Sequence, residues 1–129
     1  MSRELTDLKV LIVDDSPINH KVVALPLKSA FKEIVCAYNG EEGFDLFSKE
    51  GADVILMDIS MPIMDGIECT EKIRAYETEK NTDTPVIILA MTGNEDDDDI
   101  KEYLAVGMNG YVGKPINRDL LLETIEDLL

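Results

Sequence analysis

The stretch VILMDISMPIMDG, residues 54–66, decides how this chain folds. Four apolar residues in a row end at Asp58, and a Met-Pro and an Asp-Gly pair follow within eight residues. A continuous apolar run of strand length is what a strand covered on both faces requires, as in a parallel sheet. The Pro and Gly pairs mark the loop that leaves it. A buried strand that delivers a carboxylate at its end demands a chemical reason.

Working outward, four further short apolar segments read as strands: KVLIV (9–13), EIVCAY (33–38), PVIILA (85–90) and GYV (110–112), with DVILM (53–57) as the middle one. Longer segments with helix signals separate them. Ser16 precedes Pro17, which suits a first helical position, and Asn39 with Glu42 and Asp65 with Glu68 have capping-box spacing. Helices of about 10 to 14 residues are predicted after each strand, the last over 117–129. Five β-α repeats give an α/β, doubly wound (βα)5 fold with a five-stranded parallel sheet and right-handed crossovers. No linker, internal repeat or second domain interrupts the pattern, so 1–129 reads as one domain with no effector domain attached.

Composition agrees. The 129 residues are 45% hydrophobic and 30% charged, as in a globular domain, and no apolar run reaches the ~18 residues of a membrane span. Twenty-seven acids against twelve bases give a net charge of −15, which repels nucleic-acid phosphates and anionic lipid heads. Direct nucleic-acid binding and membrane insertion are therefore not expected. The N-terminus carries no secretory signal, and Cys36 and Cys69 have neither metal nor redox spacing, so reduced thiols in a cytoplasmic setting are the reading. The run EDDDD (95–99) reads as a solvated helix N-terminus rather than a calcium loop.

In a parallel α/β sheet, ligands bind outside the carboxyl ends of the strands. Asp14 and Asp15 follow the first strand, Asp58 the third, Thr92 the fourth, and Lys114 with Pro115 the fifth. Three carboxylates held together repel one another unless protonated or joined by a cation. Oxygen-only ligands with room for water favour Mg²⁺, with Mn²⁺ as an alternative, over zinc. Such a cluster with one ammonium and one hydroxyl can handle a phosphoryl group, because these charges neutralise its oxygens. Asp58 then reads as a nucleophile toward phosphorus, with Asp14 and Asp15 positioning the metal.

From VLIVDDS through VILMDISMPIMDG and ILAMTG to GMNGYVGKPI, the chain resembles the receiver domains of response regulators and hybrid sensor kinases in two-component phosphorelays. The narrower likeness is to receivers of hybrid histidine kinases. The resemblance implies a flavodoxin-like strand order 2-1-3-4-5 and a phosphoacceptor at Asp58. It implies Mg²⁺ held by Asp15, Asp58 and the Ser60 carbonyl, with Asp14 completing the acid pair. It also implies phosphoryl contacts from Thr92 and Lys114, and a switch in which Thr92 moves and Tyr111 rotates. The donor would be a sensor histidine kinase or a histidine phosphotransfer protein, and no separate turnover reaction would be expected. Two departures stand out: Gly93 where the family usually has Ala, and Pro26 inside the first helix, where it should kink the backbone.

Two rival functions share some of these features. An Asp-nucleophile, Mg-dependent phosphatase would want a second acid two residues after Asp58, where Ser60 stands. A pseudo-receiver would bind partners without phosphorylation, and the intact set of five polar residues opposes it.

The first helix carries two apolar stripes. Val23, Leu27, Ala30 and Phe31 suit the core, while Ile18, Val22 and Leu25 lie more than ~100° around the helix. Ile18 and Leu25 are expected to stay exposed, Val22 to reach the core edge, and Pro115 and Ile116 to complete a partner-docking surface. The alternative is that Pro26 turns the helix and buries them. His20 is read as exposed or partly packed, Cys36 as lying in a buried strand, and Cys69 as a small apolar residue on a helix. Oligomeric state has no signal in the sequence.

Overall fold

The structure, a computed structural model, describes residues 4–59, 61–93, 96–114 and 116–129. After a 3₁₀ turn at Leu5–Asp7, strands and helices alternate: β1 (Lys9–Val13), α1 (Pro17–Leu27), β2 (Glu33–Ala37), α2 (Gly40–Glu50), β3 (Val54–Asp58), α3 (Gly66–Glu79), β4 (Ile87–Thr92), α4 (Asp97–Ala105), β5 (Gly110–Gly113) and α5 (Arg118–Leu128). All strand pairs are parallel, in the order β2-β1-β3-β4-β5. The doubly wound α/β fold and its flavodoxin-like order are thus present.

Strand periodicity divides the core in two. Val10, Ile12, Val54, Leu56, Leu89 and Met91 point to one face, where α1 (Val23, Leu27) and α5 (Leu121, Ile125) cover them. Leu11, Val13, Ile55, Met57, Ile88 and Ala90 point to the other, under Phe47 of α2, Cys69 and Ile73 of α3 and Tyr103 of α4. β3 is buried at every position because it has neighbours on both edges and helices on both faces. Each fully buried Leu or Ile contributes about 1.5–3 kcal/mol, and truncating Leu56 to Ala would cost about 2–5 kcal/mol.

The boundaries differ from expectation for local reasons. β4 starts two residues late because Pro85 has no N–H and the Val86 N–H goes to Glu77 Oε2 (2.7 Å); the ladder begins with the Ile87 N–H on the Asp53 carbonyl. The strand then runs on to include Thr92. Arg74 holds Glu77 at 2.6 Å and also donates to the Gly107 carbonyl and Asn109 Oδ1, tying α3 to the α4–β5 loop. α4 is only nine residues long, ended by Gly107 at φ 113 with the Met108 N–H on the Tyr103 carbonyl.

The helix starts predicted at Ser16, Asn39 and Asp65 are present, with Ser16 Oγ accepting from the Asn19 N–H, Asn39 from Glu42 and Asp65 from Glu68. Asn117, expected as the first residue of the last helix, is instead its cap and accepts from Leu120. Asp97, Asp98 and Asp99 form the first turn of α4, exposed or partly so, with Asp96 as its cap; Glu95 lies outside the described residues. Pro26 acts as a stop rather than a mid-helix break. α1 ends one residue later, so the missing donor falls in the last turn, and the Pro26 carbonyl accepts from Arg118 Nε at 2.8 Å.

Cys36 corrects one expectation. It is half-buried, because β2 is an edge strand with a single neighbour. Cys69 is fully buried; its thiol donates to the Gly40 carbonyl, and burial pushes its pKa up to about 12. Gly66 is required by contact: a Cβ there would collide with the Asp58 carbonyl, so the loop after β3 can fold back only over a glycine.

Candidate functional site

The carboxyl ends of β1, β3, β4 and β5 bring the five predicted polar residues to one rim. Asp14 is 1% exposed and its carboxylate is held by α1: Oδ1 accepts from the Ser16 N–H at 2.9 Å and Oδ2 from Asn19 Nδ2 at 3.3 Å. Asp15 is exposed and Asp58 is buried at the last position of β3. One carboxylate oxygen from each of these three residues lies within 4.8 Å of the others.

Lys114 reaches across from the end of β5. Its Nζ lies 3.1 Å from Asp58 Oδ1 and 3.9 Å from Asp14 Oδ2, and its N–H donates to the Thr92 carbonyl at 2.8 Å. Burial pushes the Asp58 carboxyl above the ordinary carboxylate range. The Lys114 hydrogen bond and charge oppose that rise, and the charges of Asp14 and Asp15 add to it.

The donor set suits a hard divalent cation. All three side chains offer oxygen, two are walled in, and exposed Asp15 leaves a side open to water, as Mg²⁺ requires. Ser60 and Pro115 lie outside the described residues.

Thr92 is buried at the end of β4, and Tyr111 is partly exposed on β5. Tyr111 pairs with Ala90 and Thr92 with Gly113, so side chains two apart on one strand place Thr92 and Tyr111 on the same sheet face as diagonal neighbours.

On α1, Ile18 is 72%, Val22 55% and Leu25 70% exposed, so Pro26 has not turned them inward, and Val22 does not reach the core edge. Ile116 is half-buried against the α1–α5 side of the core. Val23, Leu27, Ala30 and Phe31 are buried as predicted.

His20 overturns its reading. It is 4% exposed, with Nε2 at 2.7 Å from the Asp14 carbonyl and 2.9 Å from that of Ala37. The signal was present: His20 stands three residues before Val23 and seven before Leu27, on the core stripe of α1. Asn19, which grips the Asp14 carboxylate, was also missed; its five-residue spacing from Asp14 across a strand–helix turn carries no pattern.

The family of the response regulator receiver domain matches residues 10–126. The chain belongs to that family. As a receiver it is 36% identical over 126 residues to hybrid signal transduction histidine kinase B of Dictyostelium discoideum, covering 92% of this chain but 6% of that protein. It is 38% identical over 122 residues to the osmosensing histidine protein kinase SLN1 of Saccharomyces cerevisiae, covering 90% of this receiver and 10% of the kinase.

Among solved structures, the Saccharomyces cerevisiae complex of the histidine phosphotransfer protein Ypd1 with the receiver domain of the response regulator Ssk1 gives a TM-score of 0.87 at 31% identity, over 95% of this chain and 89% of that one. A sensor histidine kinase receiver from Pseudomonas aeruginosa, with a magnesium ion coordinated in its active-site cleft, gives 0.80 at 30% identity, over 94% and 96%. A receiver is a signalling domain, which sets the chain apart from the phosphatase alternative. No helix among the described residues is long and apolar enough to cross a membrane.

Proposed function

We propose that this receiver accepts a phosphoryl group from a phosphohistidine onto Asp58 and changes its partner-binding surface in response. The observation that carries the reading is the meeting of Asp14, Asp15 and Asp58 within 4.8 Å, with Lys114 Nζ 3.1 Å from the Asp58 carboxylate. One acid at the end of a buried strand is a turn residue; three with a lysine are a site built to hold charge.

Asp14, Asp15 and Asp58 would hold Mg²⁺, or Mn²⁺ in its place, with the Ser60 carbonyl as a further ligand. The ion would supply positive charge to the phosphoryl oxygens. An Asp58 carboxylate oxygen forms the new bond to phosphorus as the P–N bond to the donor imidazole breaks and that ring leaves with the bonding pair. Lys114 pairs with the incoming oxygens, and Thr92 hydrogen-bonds to one of them. Asp14, gripped by Ser16 and Asn19, keeps its carboxylate directed at the site. The same groups support the loss of phosphate, so the chain assists its own chemistry without a separate turnover reaction.

The movement of Thr92 is transmitted to Tyr111 on the same sheet face and so to the surface of α4, β5 and α5, as a shift of population between two states. Ile18, Val22 and Leu25, with Ile116 and Pro115, are the docking surface for the sensor kinase or histidine phosphotransfer donor. The family, the hybrid kinase relatives and the receiver crystallised with a phosphotransfer protein support this partner class. The cysteines, both free, suit a reducing, cytoplasmic compartment.

Intact mass after incubation with phosphoramidate tests the reading. One phosphoryl group is expected with Mg²⁺ and none with EDTA; no uptake under any condition would leave a pseudo-receiver.

A further inference from the structure

We infer that His20 is a positioning residue for the acid pair: its imidazole fixes the peptide between Asp14 and Asp15 and so sets the geometry of two of the three candidate metal ligands. The inference rests on the reading of Asp14 and Asp15 as Mg²⁺ ligands.

Two oxygens face one nitrogen. Asp14 O at 2.7 Å and Ala37 O at 2.9 Å both accept, so the ring must carry its proton on Nε2 and share it between them. Nδ1 is buried and faces no acceptor or other hydrogen-bond partner among the described residues, so nothing there draws the proton away from Nε2. The ring is held from the side by Tyr38, with centroids 4.6 Å apart.

The place of this contact gives it consequence. β1 and β2 stop pairing at Val13 and Ala37, and the Asp14 N–H makes the final bond to the Ala37 carbonyl at 3.1 Å. Among the described residues no backbone N–H reaches the Asp14 carbonyl, yet Asp14 is buried. A buried carbonyl without a donor is costly, and His20 supplies that donor. The same peptide plane fixes the directions in which the Asp14 and Asp15 side chains leave the backbone. Neighbouring residues of α1 thus hold Asp14 at two points, Asn19 gripping its carboxylate and His20 its carbonyl. Partners one step removed from a metal ligand commonly change affinity by 10–100-fold when removed.

The test compares the wild type with His20→Leu, which fills the space without a donor, and His20→Gln, whose amide N–H can reach where Nε2 lies. Calorimetric Mg²⁺ titrations, with the folded fraction fixed by separate denaturant curves, should show His20→Leu weakened on the order of tenfold and His20→Gln within about twofold of wild type. Equal affinity in His20→Leu and wild type overturns the role of His20. Long-range ¹H–¹⁵N spectra of the metal-free wild type should place the ring proton on Nε2; a proton on Nδ1 overturns the inference even if His20→Leu does not fold. A wild type that binds no Mg²⁺ overturns instead the reading of the acid cluster, while the ring proton would still lie on Nε2.

Discussion

Lys114 Nζ lies 3.1 Å from Asp58 Oδ1, so the ammonium delivered by β5 lies directly against the carboxylate that ends β3. It stands 3.9 Å from Asp14 as well, and both acids are buried. Lys114→Met removes this cation from the cluster. In EDTA, urea denaturation should show a loss of about 1–2 kcal/mol. With Mg²⁺ present the loss should shrink, while phosphoramidate labelling stays at least tenfold slow; an unchanged rate would remove Lys114 from the chemistry.

Asp58 has a pH signature. Burial raises its folded-state pKa above the unfolded value, so in metal-free protein the folded state holds, at pH values between the two, a proton that the unfolded chain has released; above both, the buried carboxylate is charged at a cost. Its contribution to stability is complete below the unfolded pKa and is lost as pH rises through the folded one. Asp58→Asn should therefore stabilise the metal-free protein at pH 7, on the order of 1 kcal/mol, with the gain fading toward pH 3. A gain of equal size at both pH values would contradict the cause assigned here.

Ile63 carries local strain. It sits at φ 72 in the loop after β3, and the Met64 N–H bonds the Pro62 carbonyl across it at 2.7 Å, a tight γ-turn that a β-branched residue adopts poorly. Its side chain is 74% exposed, so no packing offsets the strain. Ile63→Asn should raise stability by about 1 kcal/mol in thermal melts. A decrease would mean that Ile63 makes a contact the fold depends on.

Much of this architecture was legible in the sequence because an apolar run has a definite end. The residue after VLIV or VILM has to emerge at the carboxyl rim, so Asp14, Asp15 and Asp58 could be placed from spacing alone. Where a side chain substitutes for the ladder the same reasoning slips, as at Val86, whose N–H is taken by Glu77. His20 was misread for a different reason: a polar residue on an apolar stripe is normally assigned outward, and only the fold brings two carbonyls within its reach. The exposure of Ile18 and Leu25 was legible, since one helix cannot bury two stripes more than ~100° apart.

That exposed stripe separates docking from chemistry. Ile18→Ser and Leu25→Ser should leave stability within about 0.5 kcal/mol, as exposed substitutions do. Phosphotransfer from a phosphorylated histidine phosphotransfer protein should slow on the order of tenfold, with phosphoramidate labelling unchanged. Equal slowing with both donors would point away from a docking role.

Mapping the phosphorylated residue decides most directly whether Asp58 is the acceptor. Wild type and Asp58→Asn are labelled with phosphoramidate and Mg²⁺, trapped with borohydride and digested. One modified peptide is expected, with the change at Asp58, absent in EDTA and absent from Asp58→Asn. Modification at another residue of the wild type, or undiminished labelling of Asp58→Asn, would contradict the assignment.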